Sequence, residues 1–191
     1  QSLIRRRSMK KWFLLALPLV LSACGYNSIQ TMDETAAAAK QQIEVQLQRR
    51  ADLVPNLVET VKGYAKQEET IFTAVAQARA GLLGAVQGGN VGQMATANDQ
   101  MTGALGRLLA ISEAYPTLKS DQNFLRLQDE LTGTENRIAV ARTDYNNAVR
   151  DYNAYIRKFP AVLTAKVTGA KAREYFEVTN PAAATAPTVK F

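Results

Sequence analysis

The chain contains no histidine and a single cysteine among its 191 residues. The missing histidine removes the commonest general base, the commonest metal ligand and every Ser-His or Cys-His nucleophilic arrangement. Without a second cysteine no intramolecular disulfide can form, so stability must come from packing even in an oxidising compartment. Aromatic residues make up only 7% of the chain, and between Gly25 and Phe159 the only prolines are Pro55 and Pro116, so long helices can run uninterrupted. No segment shows the strict alternation of a half-buried strand. Carboxylates could still hold metals in a helical bundle, but the known di-metal form uses Glu-x-x-His pairs, and none can exist here. Gly88-Gly89 lacks the preceding strand and following Lys-Ser/Thr of a phosphate loop and reads as a turn. Paired acids such as Glu68-Glu69 and Asp129-Glu130 read as solvated helix faces. No catalytic residue, metal or cofactor is assigned.

What is present begins with Leu21-Ser22-Ala23-Cys24. Lys10 and Lys11 supply a charged start, Trp12 to Val20 an apolar run, and Ser22 and Ala23 the small residues a signal peptidase accepts. This reads as a bacterial lipoprotein signal over residues 1–23, with Gln1 to Ser8 an upstream extension or start-site artefact before Met9. Cys24 would become the new N-terminus, its sulfur carrying a diacylglyceryl thioether and its amino group a further palmitate-type chain. Each buried methylene contributes about 0.8 kcal/mol, so several acyl chains hold a protein to a bilayer durably. The apolar run is about half of the roughly 20 residues needed to span a membrane, and Pro18 interrupts it.

The leader also explains the charge. The full chain is +6, yet Arg5, Arg6, Arg7, Lys10 and Lys11 precede Cys24 and no acid does; without them 18 Lys+Arg face 17 Asp+Glu, a balance of +1. The basic pI therefore belongs largely to the targeting segment and argues against nucleic acid as a partner.

From Ile43 onward apolar positions recur at steps of four and three: Ile43, Leu47, Arg50, Val54, Leu57, Val61, Tyr64, Glu68, Ile71, Val75, Ala78 and Leu82, broken only by Arg50 and Glu68. This is a helix. Pro55 makes it either one kinked helix or two in sequence, and Gln87-Gly88-Gly89-Asn90 stops it. A second stripe runs Val91, Met94, Asn98, Met101, Leu105, Leu108, Ile111 and Tyr115 to Pro116. Ser120 or Asp121 can cap a third, which carries Phe124, Leu127, Leu131, Thr134, Ile138, Ala141, Tyr145, Ala148, Tyr152, Tyr155 and Phe159 up to Pro160. Three such segments with short connections predict an all-α, elongated antiparallel bundle of three long helices, coiled-coil-like in repeat. A short helical segment follows Pro160, and Tyr175-Phe176 packs back on the bundle.

Three polar clusters interrupt these stripes. In the first, Arg49, Arg50, Asp52, Pro55 and Asn56 place charge on a packing face; Arg50 there calls for a carboxylate across the bundle, Asp144 or Asp151, or else marks a break exposed to a partner. The second, Tyr115 to Phe124, is a turn and cap. The third carries Tyr145, Asn146, Tyr152 and Asn153, either a polar contact surface or tyrosines on the seam with hydroxyls at its edge.

These clusters also carry a resemblance. Arg49-Arg50-x-Asp52-Leu53-Val54-Pro55-Asn56-Leu57-Val58-Glu59-Thr60-Val61-Lys62-Gly63-Tyr64, then Tyr115-Pro116-x-Leu118-Lys119, then Tyr145-Asn146-x-Ala148-Val149 and Tyr152-Asn153 resemble the LemA family, in the family's order and across roughly Gly25 to Phe176. The resemblance implies a long-helix bundle facing away from the cytoplasm at the bacterial envelope. It carries no established enzymatic activity, and it implies envelope partners of the TPM-domain type. The family's usual tether is a membrane helix, which a lipobox replaces here.

The expected organisation is a signal peptide over 1–23, a LemA-like bundle over 24–176 and a disordered tail over 177–191. The expected function is a lipid-anchored, non-catalytic envelope scaffold or adaptor that can also self-associate. Gly25 after the lipidated cysteine resembles the outer-membrane sorting class, facing the periplasm in a diderm; otherwise the site is the outer face of the plasma membrane. The alternatives are a carboxylate-based metal-binding or enzymatic bundle, or a membrane-remodelling factor.

Overall fold

The computed structural model describes the backbone of residues 2–177 and the side chains from Gly25 onward. The side chains of Leu21, Ser22, Ala23 and Cys24 and the tail expected over 177–191, apart from residue 177, lie outside what is described. Six helices and no strand occur among the described residues: α1 (Ser2–Lys62), α2 (Glu69–Gly88), α3 (Val91–Ala114), α4 (Pro116–Lys119), α5 (Gln122–Tyr155) and α6 (Ala161–Thr168). The all-α bundle expected from the periodicity is the fold observed.

The chain divides into two compact units, one built from residues up to Lys40 with Asp144–Glu174, the other from Gln41–Thr143 with the residues from Tyr175. In the second unit the first long stripe is two helices. The break falls at residues 63–68, and α1 runs through Pro55 without interruption. Proline has no N–H to give the carbonyl four residues back, so Ala51 O is orphaned in a fully buried position. Arg79 of α2 donates its Nε–H to that oxygen at 2.8 Å. A neighbouring helix thus replaces the hydrogen bond the proline removes.

Beyond the break the buried face changes phase. Ile43, Leu47, Arg50, Val54, Leu57 and Val61 are all buried, but Tyr64 is exposed, and α2 buries Phe72, Val75, Leu82 and Ala85. Glu68, which spoiled the stripe, is the residue on which α2 starts. Gly89 then ends α2 in the left-handed region at φ 67, its N–H reaching Ala85 O and Val86 O, a conformation that glycine adopts without Cβ strain. Asn90 caps α3 by accepting from Gln93 N at 2.8 Å. In α3 the expected stripe from Val91 to Ile111 is buried residue for residue.

Cross-helix contacts fix the direction of each helix in this unit. Arg50 and Gln67 meet Asn98 and Tyr115 respectively, so α3 runs parallel to α1; Arg50 and Tyr64 meet Glu135 and Asp121, so α5 runs antiparallel to it. With Arg79 of α2 at Ala51, α1, α2, α3 and α5 form an up-down-up-down bundle. Four helices stand where three were expected, because the first is divided. Asp121 rather than Ser120 caps α5, accepting from Phe124 N at 2.9 Å.

In the first unit α5 continues past Asp144. Tyr152 is buried as expected, but on either side of it the buried positions are Val149 and Ile156 in place of the expected Ala148 and Tyr155. A strict seven-residue repeat drifts about 20° per heptad around a straight helix, which carries the face to these neighbours. The helix ends at Tyr155, ahead of Pro160, and Phe159 is 81% exposed. Ile29, Tyr152, Ile156 and Ala165 form the core of this unit, with α6 packed through Ala161, Thr164 and Ala165.

Candidate interaction groove and its polar supports

In the second unit, Arg50 occupies an apolar face and is 4% exposed. Its Nη1 donates to Asn98 Oδ1 at 2.6 Å and stands 2.7 Å from Glu135 Oε2, while its buried Nε has no hydrogen-bond partner among the described residues. Burial lowers the guanidinium pKa from its ordinary value, opposed by Glu135 and Asp99. The expected carboxylate across the bundle exists, but it is Glu135. Asp144 and Asp151 are exposed, and Asp151 pairs with Arg150 at 3.2 Å. The reason is register: in the antiparallel α1 and α5 pair, the residue level with Arg50 is a heptad and more before Asp144. Arg49 is exposed, and Asp52 is exposed and accepts from Gln48 Nε2 at 3.0 Å.

Pro55 and Asn56 are exposed on the outer side of α1. Pro55 lines a groove of about 710 Å³ between α1 and α2, together with Val54, Val58, Lys62, Phe72 and Arg79. Lys62 Nζ lies 5.5 Å above the Phe72 ring and 3.6 Å from Glu59 Oε1. Lys66 and Glu69 add charges of both signs to the rim. An apolar floor with an alternating charged rim is the chemistry of a surface for a protein segment.

The second cluster closes one end of this bundle. Tyr64 OH donates to Asp121 Oδ2 at 2.9 Å and Gln67 Nε2 to Tyr115 OH at 2.9 Å, while Leu118 is fully buried in α4. The carboxylate hydrogen bond raises the Tyr64 pKa. Backbone N–H donation from Phe124, then Tyr64, lowers that of Asp121. The break at residues 63–68 is therefore laced to the α3–α5 turn.

The third cluster lies in the first unit and grips the extended segment after α6. Asn153 Oδ1 accepts from Arg173 N and its Nδ2 donates to Arg173 O, each at 2.9 Å. Tyr145 OH donates to Glu174 O at 2.8 Å. Arg173 Nε donates to Asp33 Oδ1 at 2.8 Å, and Tyr152 also hydrogen-bonds Asp33. The Arg173 contact holds the Asp33 carboxyl below the usual carboxylate range, and burial pushes up Tyr145 and Tyr152. Asn146 is half-buried beside them in sequence. In the second unit, the Arg142 guanidinium lies 5.8 Å over the buried Phe176 ring, so Phe176 packs back as expected, whereas Tyr175 is exposed.

Of the residues the sequence singled out, Tyr145, Tyr152 and Asn153 come together; Arg50 and Pro55 support the groove's helices. Asn98, Glu135, Arg79, Asp33 and Arg173 were missed. Asn98 left a signal, a polar residue on an otherwise apolar stripe. The other four lie on exposed or half-exposed positions, where charge is ordinary. Among the described residues no group of three or more Cys, Asp and Glu side chains could hold a metal ion, and no helix is long and apolar enough to cross a membrane.

Fold and clusters together define an all-α bundle protein whose polar motifs hold helices and the extended segment after α6 in place. The chain belongs to the LemA family, which it matches over residues 39–191. It is 33% identical over 175 residues to magnetosome proteins MamQ 1 and MamQ 2 of Paramagnetospirillum magneticum, covering 80% of this chain and 64% of each of theirs. Magnetosome protein MamQ of Magnetospirillum gryphiswaldense is 33% identical over 174 residues, with 79% and 64% covered. The chain thus spans just under two thirds of the length of these curated relatives.

Proposed function

We propose that this protein is a lipid-anchored component of the bacterial cell envelope, held by acyl chains on Cys24 after removal of residues 1–23, and acts as a non-catalytic scaffold or adaptor. The observation that carries this reading is the groove between α1 and α2, apolar in its floor and charged with both signs at its rim, beside a helix that continues through Pro55 with Arg79 on the Ala51 carbonyl. The relatives are named magnetosome proteins, which favours an assembly role. Envelope proteins, TPM-domain types among them, or a second copy fill the groove. The anchored membrane is the outer membrane, facing the periplasm, in a diderm host and the plasma membrane otherwise.

Intact mass and fractionation of the protein from a bacterial host test the anchor. An acylated N-terminus at Cys24 that disappears in Cys24→Ala supports it, and a chain starting at or before Met9 refutes it. Photo-crosslinkers placed at Val58 and Thr73 in the groove, and at Val45 outside it, test the contact role. Discrete adducts from the groove positions alone are expected; identical patterns from all three would remove the groove from the account.

A further inference from the structure

The first unit presents an apolar face outward. Leu163 and Val167 lie one turn apart on α6 and are 55% and 89% exposed, Phe159 in the turn just before the helix is 81% exposed, and the opposite side of α6 carries the buried Ala161, Thr164 and Ala165. A short helix at a water-facing surface would ordinarily turn polar residues outward. The charges around this face are of one sign: Arg157, Lys158, Lys166 and Lys171 are all exposed, and no acid occurs between Asp151 and Glu174. Across from it, the α1 residues from Gly25 to Met32 carry no charge, and Asp33, the first acid, is taken by Arg173.

Its location is fixed by Gly25. A Cβ on that residue would lie 3.3 Å from Thr164 Oγ1 and 3.7 Å from Ala161 Cα, so α6 packs directly against the first residue after Cys24. The exposed Tyr26 stands next to it.

We propose that the face formed by Phe159, Leu163 and Val167 docks into the surface of an anionic phospholipid bilayer, with Lys158, Lys166 and Lys171 against the headgroups. Apolar side chains enter the headgroup and acyl boundary while cations pair with lipid phosphates, the pattern of interfacial helices. The proposal deepens the anchored reading and rests on it for placing this face at the membrane; docking would set the orientation of the unit on a bilayer that acyl chains alone leave free to swivel.

The test uses the full chain, made in a bacterial host and reconstituted into vesicles, in a Trp12→Phe background that leaves an introduced tryptophan as the sole one. Val167→Trp reports the face and Val140→Trp, also exposed, serves as control. In vesicles of phosphatidylethanolamine and phosphatidylglycerol, brominated acyl chains are expected to quench Val167→Trp about twofold or more and to spare Val140→Trp. Phosphatidylcholine vesicles, or Lys158→Glu with Lys166→Glu and Lys171→Glu, should reduce that quenching. Vesicle flotation of the same samples reads attachment separately. Protein that floats with Val167→Trp unquenched overturns the docking and leaves the anchor standing. Quenching that persists in a Cys24→Ala chain that still floats supports the docking and removes the anchor. A blue-shifted Val167→Trp that brominated lipid does not quench would assign the face to a protein and overturn the proposal, as would equal quenching at both positions.

Discussion

Replacing Arg79 should cost far more in the native chain than in one lacking Pro55. Arg79→Met removes a charged donor from a buried main-chain carbonyl that has no helical partner, and such bonds contribute about 1.5–3 kcal/mol. Arg79 is half-buried, which places the expected loss at about 1.5–2 kcal/mol. At an m-value of about 2 kcal/mol/M, that is a urea midpoint lowered by about 0.8–1 M. Pro55→Ala restores the N–H, which bonds Ala51 O within α1, and relieves the ring's clash with that carbonyl. On this background Arg79→Met should cost about 0.5 kcal/mol, because the carbonyl keeps one strong donor. The coupling in the four-member cycle is then at least about 1 kcal/mol, above the roughly 0.3–0.5 kcal/mol within which independent sites add. Urea titration of the four full-length proteins in mild detergent, followed by far-ultraviolet circular dichroism, measures it. Equal costs of Arg79→Met in the two backgrounds would refute the account of how α1 passes through Pro55.

Glu135→Ala strands Arg50 with Asn98 alone, and losing one partner of a buried pair costs about 3–5 kcal/mol; with Glu135 itself 45% exposed the lower end is expected, read as a drop in melting temperature. Asn153→Ala removes two hydrogen bonds to the Arg173 backbone, at about 0.5–1.5 kcal/mol each, and should speed hydrogen exchange at the Arg173 amide; unchanged protection would contradict the clasp. The folded-state pKa of Asp33 is depressed below its ordinary 3.8, so its contribution to stability is complete above that value and lost as pH falls through the lower folded value. Asp33→Asn should therefore lower stability at neutral pH and flatten the acid limb, so that urea midpoints of the two proteins converge as pH falls through the folded value; a constant difference at every pH would contradict the Asp33–Arg173 contact.

How much was readable depended on whether a feature was local. The stripe of α3 involves nearest turns of one helix, and its positions from Val91 to Ile111 were legible one by one. In α5 the repeat was legible up to Tyr145, after which the difference between 3.5 and 3.6 residues per turn moved the buried face to Val149 and Ile156. The division of the first stripe was misplaced because the two breakers act oppositely. Pro55 is conspicuous in sequence but is rescued by Arg79, a residue 24 positions away whose role no periodicity displays, while the true break shows only as Glu68 on an apolar face. The site follows the same division. Arg50 announced itself as a charge in a stripe, but choosing Glu135 over Asp144 required the register of two helices, which tertiary packing sets.

The segment after α6 is held by its main chain. Asn153 reads the N–H and the carbonyl of residue 173, and Tyr145 reads the carbonyl of residue 174; of the strap's side chains only Arg173 joins these contacts, through Asp33. Backbone groups are common to nearly every amino acid, so this grip constrains the path of the strap and scarcely its identity. Lys171, Ala172 and Glu174 can change without loosening it, whereas proline at 173 would remove the one N–H it needs. The two α5 residues doing the holding have no such freedom, and the burden of specifying the strap falls on side chains 20 and 29 residues upstream of the groups they grip.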